Sequence, residues 1–462
     1  MHLAPIDARV EDLIAALPEG SVLTEPTAVE PYRRDRAGDP HAGVPLAVVR
    51  AASTAEVQTA VRWAARHGVP VVPRGAGTGL SGGASAVSGG IVVSTERMRE
   101  VSVDERTRTA VVQPGLLNAE FKSAVAEHGL WYPPDPASFE ICSIGGNLAT
   151  NAGGLCCVKY GVTADYVLGL EVVLADGRAV RLGGSLIKDV AGLNLVKLFV
   201  GSEGTLGIIT EATLRLLPAP PVHRTIAAWF RTTEDAAEAI AEIASTIRPS
   251  MLEYMDRSSV NAVEDLLGIG LDREAAAFVL AGSDDLDPAG REIAVMLDAF
   301  ARHDPILVQE TSAEDGATLE YARRLAIPAV EATGRLLLED VGVAIPRLAD
   351  LIHGVEEIAA RERVRIAFIA HAGDGNTHPL VVFNPDDPAE EARAHQAYGD
   401  VMTLATRLGG TITGEHGVGR LKRPWLEDQI GPDALDIAQR VKDALDPQHL
   451  FNPGTIFKET SK

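Results

Sequence analysis

Val71-Val72-Pro73-Arg74-Gly75-Ala76-Gly77-Thr78-Gly79-Leu80-Ser81-Gly82-Gly83 is a run of small residues placed directly after an apolar strand signal. Glycines let several backbone N–H groups converge on one point, which makes an anion nest for a pyrophosphate. Read literally, Gly77, Gly79 and Gly82 satisfy G-x-G-x-x-G. That dinucleotide motif must open a helix. The residues that follow, Gly83-Ala84-Ser85-Ala86-Val87-Ser88-Gly89-Gly90, are too glycine-rich for a helix and lead into another strand. The stretch therefore points to a phosphate loop outside a Rossmann unit. A plain flexible loop is the bland reading, and the density of glycine beside a buried strand favours the nest.

Working outward, the loop closes a unit made of a strand over 46–50, a helix over 54–67 and a strand over 69–73. Ser53 or Thr54 caps that helix, Glu56 sits in its first turn and Gly68 ends it. Upstream lie an amphipathic helix over 10–17 and a polar stretch rich in Arg and Asp. Downstream come short strands over 91–94, 100–103 and 109–113, then a helix over 118–128. Residues 130–162 show almost no periodicity, and a structureless stretch of that length inside a domain is usually a functional loop. Strands resume over 169–174, 178–182 and 207–216. Leu217-Pro218-Ala219-Pro220-Pro221 is the linker candidate, because consecutive prolines stop helix and sheet alike.

Beyond the linker, strands near 225–230, 252–255, 276–281 and 305–309 alternate with helices near 233–246, 259–267 and 288–301. That alternation predicts a second α+β domain with helices on one face of a sheet. From Leu426 the tail reads as two helices and a final loop. No internal repeat or low-complexity segment interrupts the chain.

The bulk composition agrees with two or three domains in 462 residues. Hydrophobic residues make up 46% and charged residues 23%, ample for globular cores. A formal net charge of -22 repels phosphate backbones, so nucleic acid is excluded as a partner. Cys142, Cys156 and Cys157 cannot make a disulfide framework, which fits a reducing compartment. The N-terminus lacks the apolar core of a signal peptide, and no apolar run approaches the ~20 residues of a membrane span. The expectation is a cytoplasmic protein, with peripheral membrane association left open.

The non-periodic stretch offers Pro133-Pro134-Asp135-Pro136 and Ser143-Ile144-Gly145-Gly146-Asn147-Leu148-Ala149-Thr150-Asn151-Ala152-Gly153-Gly154. Its hydroxyls, amides and bare backbone suit a flat polar ligand, or equally an ordered loop held by its own Asn and Thr side chains. Together with 73–83 and Gly201-Ser202-Glu203-Gly204-Thr205-Leu206-Gly207-Ile208-Ile209-Thr210, it resembles the FAD-binding domain of the vanillyl-alcohol oxidase/PCMH superfamily. Within that superfamily the sequence is most similar to the glycolate oxidase FAD subunit and D-lactate dehydrogenase branch, from Val44 to the C-terminus. The fold this implies is α+β: a two-subdomain PCMH-type FAD-binding domain, an α+β substrate (cap) domain and a C-terminal helical tail. The expected boundaries are a helical lead-in over 1–43, the FAD domain over 44–218, the substrate domain with its metal site over 219–425, and a tail over 426–462 packing back on the FAD domain.

By the same resemblance, Pro73, Arg74, Gly75, Ala76, Gly77, Thr78, Gly79, Leu80 and Ser81 hold the pyrophosphate. Pro134 and Asp135, then Ser143, Gly145, Gly146, Asn147, Thr150, Asn151, Ala152 and Gly154, line the flavin. So do Tyr160, Glu203, Gly204, Ile208 and Ile209, with Asn376 and Asn452 contributed from the C-terminal half. Some members attach flavin through a His or Cys in these loops. Residues 74–83 contain neither, so non-covalent FAD is expected, and Cys142 and Cys156 read as ordinary loop cysteines.

The second signal is His371-Ala372-Gly373-Asp374-Gly375-Asn376-Thr377-His378 between two strand patterns. Gly373 and Gly375 mark a tight hairpin, which can set His371 and His378 face to face across its neck as half of a metal site. Thr413-Gly414-Glu415-His416-Gly417-Val418-Gly419 follows in a glycine-flanked loop. Glu415 can complete a two-His, one-carboxylate set, suited to zinc, manganese or iron. In an extended backbone His416 points away from Glu415 and is available as a base. A lone His is usually structural, but three His and a Glu in two glycine-bracketed loops outweigh that reading. EF-hand spacing is absent.

H-x-G-D-G-N-x-H and G-E-H-G are hallmarks of the same branch. The resemblance makes His371, His378 and Glu415 ligands of a divalent metal, zinc or manganese first, His416 the catalytic base, and Arg324 the grip on the substrate carboxylate. Arg323 reads as its neighbour on a solvated helix face. Asp340 stands where 2-hydroxyglutarate-type members carry a Lys, and Leu380 replaces a polar residue; both favour a small monocarboxylate. Thr455 replaces a commonly basic residue, which predicts a weaker hold of the tail on the flavin domain.

The function these features imply is FAD-dependent oxidation of a small D-2-hydroxy acid, D-lactate or glycolate, for an unidentified electron acceptor. The alternatives are an FAD-binding subunit of a multi-subunit glycolate oxidase and a dehydrogenase for a larger D-2-hydroxy acid. A homodimer and an oxidase-complex subunit are both compatible with the sequence. An NAD(P)-dependent dehydrogenase fails on the missing helix after Gly82, and a metal-dependent hydrolase with no redox role is told apart by the colour of the purified protein.

Overall fold

The computed structural model describes residues 7–220, 223–287 and 290–458. Pro221 of the expected linker and Pro288 of an expected helix lie outside them. The chain forms two compact units. One comprises Met1–Ala152, Val162–Ala219 and His416–Lys462; the other comprises Gly153–Gly161 and Pro220–Glu415. Among the described residues, no helix is long and apolar enough to cross a membrane.

The first unit holds two sheets. A four-stranded sheet runs in the order Val22–Leu23, Ala47–Arg50, Ile91–Ser94, Val71–Arg74, its last three strands parallel. A five-stranded antiparallel sheet runs Val101–Asp104, Thr109–Val112, Ile208–Arg215, Val167–Val173, Ala179–Gly183. Helix Thr54–His67 joins the two. Ser53 accepts from the Glu56 N–H, Glu56 accepts from the Ala52 N–H, and Gly68 closes the last turn at φ 61. These caps satisfy end groups the helix cannot. Its apolar face, Val57, Ala60, Val61, Trp63 and Ala64, shares one core with Val49, Val71 and Val93 of the first sheet and Val173 and Ile208 of the second.

Four expectations for this unit change. The lead-in over 1–43 is part of it, because the Arg36 and Ala37 N–H groups donate to the Gly77 and Gly79 carbonyls (3.1 Å each). The stretch over 130–162 is partly regular, with helix Ile144–Thr150 capped by Ser143. Leu217–Pro218 does not end pairing but forms a two-residue ladder with Leu130–Trp131. The sequence boundary at 425 moves to Glu415, because the residues after it bond to Ser81 and Glu203 of the first unit.

The tail is bonded into this unit. Phe451 is fully buried in the core with Val71. The Val71 N–H donates to the Leu450 carbonyl and the Asn452 N–H to the Val71 carbonyl. Burying a side chain of this size contributes about 1.5–3 kcal/mol. Thr455 itself is buried.

The second unit is built on one antiparallel sheet. Its order is Pro305–Glu310, Arg224–Phe230, Ala277–Ser283, Met251–Asp256, Arg365–His371, Asn376–Phe383, Arg335–Leu338, with Val341–Gly342 also paired to Asn376–Phe383. Helices cover both faces, not one. All seven residues of Ala277–Ser283 are buried, which a half-exposed strand would not allow. Met255, Phe278, Leu280 and Ile369 pack on one side with Val260, Val263 and Ala326. On the other side Phe230 meets Phe300 of helix Arg291–Arg302 at 5.9 Å between rings.

Candidate active site

Strand alternation puts Glu253, His371 and His378 on the sheet face that also carries Met255 and Ile369. His371 is opposite Asn376, and His378 is opposite Ile369. The two imidazoles are therefore diagonal neighbours, not face to face, with ring centroids 5.3 Å apart and planes at 89°. Gly375, at φ 84, makes the reversal between them.

Both rings aim Nε2 at the same oxygen of Glu415, His371 from 3.4 Å and His378 from 3.2 Å. Their other nitrogens have acceptors. His371 Nδ1 is 2.9 Å from each oxygen of Glu253, and His378 Nδ1 is 3.2 Å from the Glu339 carbonyl. An Nδ1–H held this way fixes the tautomer and leaves Nε2 as a lone pair. Two lone pairs and a carboxylate oxygen converging on one point require a positive charge there. The donor set fits a divalent cation such as zinc or manganese.

Without a metal, protons answer part of that need. Burial pulls the His371 imidazole down, but Glu253 and Glu415 outweigh it and hold its pKa well above the usual value. Burial pushes Glu415 up, yet His371 and His378 hold it well below the carboxylate range.

Glu253, which the sequence reading did not single out, is buried and pairs with Arg323 at 2.8 Å. Its signal was a lone carboxylate inside the apolar run Met251-Leu252-Glu253-Tyr254-Met255. Arg323 is 3% exposed, which corrects its placement on a solvated face. Its Nε is buried without a hydrogen-bond acceptor. Arg324 is half-buried.

Asp340 and Leu380 also change role. Asp340 is fully buried, and its Oδ2 accepts from Thr413 Oγ1 (2.7 Å) and from the Gly414 and Glu415 N–H groups (3.0 Å each). It fixes the loop that carries Glu415. Leu380 is a core residue beside Ala326 and Ile369. Neither is placed as a selector of substrate size. Asp340, His378 and Glu415 offer ligand atoms within 4.8 Å of one another.

In the first unit, the loop after Val71–Arg74 is bonded to the lead-in segment through its carbonyls. The Gly77 and Gly79 carbonyls are turned toward Arg36 and Ala37. Across a planar peptide the next N–H points the opposite way, so the Thr78 and Leu80 N–H groups face together away from that segment. No helix follows Gly82. Arg74 does not offer its side chain to a ligand: its guanidinium donates to the carbonyls of Ala84 (3.0 Å), Arg34 (3.0 Å) and Pro31 (3.3 Å) under the loop. A Cβ at Gly77 would overlap it. Ser143 Oγ accepts from the Ala76 and Gly146 N–H groups at 3.2 Å each and ties this loop to helix Ile144–Thr150.

Several expected flavin contacts have side chains already engaged. Asn147 accepts from Asn118 (3.0 Å), Thr150 donates to the Gly146 carbonyl (3.2 Å), and Asn151 accepts from the Ala164 N–H (2.8 Å). Glu203 accepts from the Val418 and Gly419 N–H groups. The Asn452 amide donates to the carbonyls of Gly83 and Glu203 (2.7 Å each). Pro134 accepts from Asn118 through its carbonyl, Asp135 is buried, and Gly204 packs on Pro73. Gly154 and Tyr160 belong to the second unit, where the Tyr160 hydroxyl donates to Asp284. Asn376 also lies there, under Gly414, with its Oδ1 buried and without a partner. Gly145, Gly146, Ala152, Ile208 and Ile209 offer backbone or apolar surface only.

Residues 45–183 match the family described as an FAD binding domain, and residues 219–456 match the C-terminal domain of FAD linked oxidases. The glycolate oxidase subunit GlcD of Bacillus subtilis is 40% identical over 424 residues, 91% of this chain and 90% of that protein. A D-lactate dehydrogenase of Archaeoglobus fulgidus is 35% identical, covering 91% and 93%. A D-2-hydroxyglutarate dehydrogenase of Xanthomonas citri is 32% identical, covering 98% and 97%. Among solved structures, p-cresol methylhydroxylase superposes with a TM-score of 0.80 at 17% identity, covering 98% of this chain and 96% of its own, which shows the fold.

Proposed function

The chain belongs to the FAD-linked oxidases, and we propose that it oxidises a small D-2-hydroxy acid, D-lactate or glycolate, to the 2-oxo acid. The observation that carries this reading is the convergence of His371 and His378 on one oxygen of Glu415, in a chain that also has an FAD binding domain. When bound, FAD would supply the acceptor for the hydride leaving the substrate Cα, and a divalent cation would supply Lewis-acid polarisation of the hydroxyl.

The protein's own residues do the rest. His371, His378 and Glu415 would hold the cation, and His416 would accept the hydroxyl proton. The substrate carboxylate goes to Arg323 in preference to Arg324, supported by its burial beside Glu253 and its unsatisfied Nε. That pairing fixes which Cα face is presented for oxidation. The loop over 73–81, which contains neither His nor Cys, would hold the FAD pyrophosphate without a covalent bond. The preference for a small acid rests on the higher identity to the glycolate and D-lactate relatives, since Asp340 and Leu380 do not carry it.

The test is the visible spectrum of purified protein before and after anaerobic addition of D-lactate or glycolate. Flavin bands that bleach support the reading, and a colourless protein that cannot be reconstituted with FAD overturns it. Bands that bleach only with a larger D-2-hydroxy acid move the substrate and keep the chemistry. A second reading, a subunit within a larger glycolate oxidase, is favoured by the Bacillus subtilis and Escherichia coli relatives, both described as subunits. Turnover by the isolated chain with an artificial acceptor separates the two.

A further inference from the structure

The loop after His416 is gripped from two sides within the first unit. Ser81 Oγ donates toward the carbonyls of Gly417 (2.7 Å) and His416 (3.2 Å). The Ser81 carbonyl accepts from the Arg420 (2.9 Å) and Leu421 (3.2 Å) N–H groups. Glu203 accepts from the Val418 (2.8 Å) and Gly419 (2.7 Å) N–H groups. The space between is closed to side chains: a Cβ at Gly417 would come within 2.9 Å of the Glu203 carboxylate, and one at Gly419 would overlap the Ser81 carbonyl. Gly417 and Gly419 both sit at positive φ, 84 and 54, where glycine is favoured.

Glu203 is itself anchored. Its N–H donates to the Ala149 carbonyl (2.8 Å), and its carbonyl accepts from Asn452 Nδ2 (2.7 Å). It holds φ 51, a conformation a non-glycine residue keeps only when its surroundings impose it. Ser81 belongs to the glycine-rich loop that the resemblance assigns to the pyrophosphate.

We propose that Ser81 and Glu203 are positioning residues for His416. They hold the segment 417–421 against the cofactor loop, so that filling that loop with the FAD pyrophosphate sets the place of the base. The inference rests on the assignment of His416 as the base, and it concerns how that base is held, not what it does. The resemblance gave both residues to the cofactor, but their side chains are spent on the His416 loop.

The experiment compares wild type, Ser81→Ala, Ser81→Thr and Glu203→Gln as FAD-loaded full-length proteins. In Ser81→Ala and Glu203→Gln, kcat falls about 10- to 100-fold, the range expected when a reacting group is misplaced by about an ångström. KM stays within about twofold and flavin content is unchanged, the pattern of an interaction realised in the transition state. The pH at which kcat is half-maximal moves in both variants, and Ser81→Thr, which keeps the hydroxyl, restores it. Amide hydrogen exchange gives a second readout. Adding FAD to apoprotein slows exchange over 416–421 in wild type and fails to do so in Ser81→Ala. Loss of flavin in step with activity, or kcat and exchange equal to wild type, overturns the proposal. If wild type itself is not reduced by any 2-hydroxy acid, the functional reading has failed, while the exchange comparison still decides the coupling.

Discussion

Two buried carboxylates, one in each unit, do a similar thing on either side of the Glu415–His416 step. Asp340 in the second unit takes the N–H groups of Gly414 and Glu415 and the hydroxyl of Thr413. Glu203 in the first unit takes the N–H groups of Val418 and Gly419. The difference is distance. Asp340 holds the backbone of the residue whose side chain would ligate a cation, so the oxygen of Glu415 has little freedom. Glu203 holds residues two and three positions beyond His416, so the imidazole is placed by a lever. In the proposed roles, a ligand needs a fixed bond length, whereas a base needs a fixed approach with room to turn, and the two grips suit those demands.

The comparison predicts different failures. The largest is removal of the cation: a chelator, or His378→Ala, abolishes substrate-dependent flavin reduction while the flavin bands persist. Absorption and metal analysis on the same sample check this, and turnover surviving complete metal loss would break the assignment of the second unit. Next, Asp340→Asn places an amide NH2 among three donors and loosens Glu415. Metal affinity falls about 10- to 100-fold, as for other partners that orient metal ligands, read by competition with a chromophoric chelator. Arg323→Lys raises KM for the hydroxy acid about tenfold or more, because a point charge replaces a fork that also contacts Glu253; Arg324→Lys changes it less. The reverse order of the two arginines would return the carboxylate to the residue the sequence suggested.

The smallest effect is a pH dependence of stability. Burial pushes the Glu203 carboxyl up to about 7, against the two N–H groups that lower it. Between its ordinary value near 4.5 and about 7, the unfolded chain is ionised there while the folded protein keeps the proton. The folded state then binds more protons, so the Glu203 contribution to stability falls as pH rises through that window. Glu203→Gln removes this slope, and urea midpoints measured at several pH values against wild type show it.

The local features were legible where a few residues decide them. Helices Thr54–His67 and Thr233–Thr246 were placed to the residue, because Ser53, Gly68 and Thr232 mark their ends. The glycine-rich loop and the His371/His378 hairpin announced themselves by composition. What stayed hidden depends on pairing between distant segments. Glu253 meets His371 only because Met251–Asp256 lies beside Arg365–His371 in the sheet. Asp340 looked like a substrate residue until its Oδ2 was found bonded to the 413–415 backbone, which no spacing rule could give. Arg323 and Arg324 differ by one helical step, about 100°, and only packing decides which faces inward. The two covered faces of the second sheet were foreshadowed by the unbroken apolar run Ala275-Ala276-Ala277-Phe278-Val279-Leu280-Ala281, a pattern that fits burial on both sides better than alternation.

The burial of Phe451 against Val71 has a consequence for the order in which the protein is made. Every segment of the second unit precedes His416, so that unit has all its parts while the remaining residues are still being added. The first unit begins earlier and finishes later, since its central core lacks a side chain until Phe451 has been synthesised. Chains emerge at roughly 5–20 residues per second. For the seconds between, the cofactor loop exists without the Asn452 strut that braces it to Glu203. A chain stopped short of Phe451 lacks that core side chain and the Asn452 donor to the carbonyls of Gly83 and Glu203.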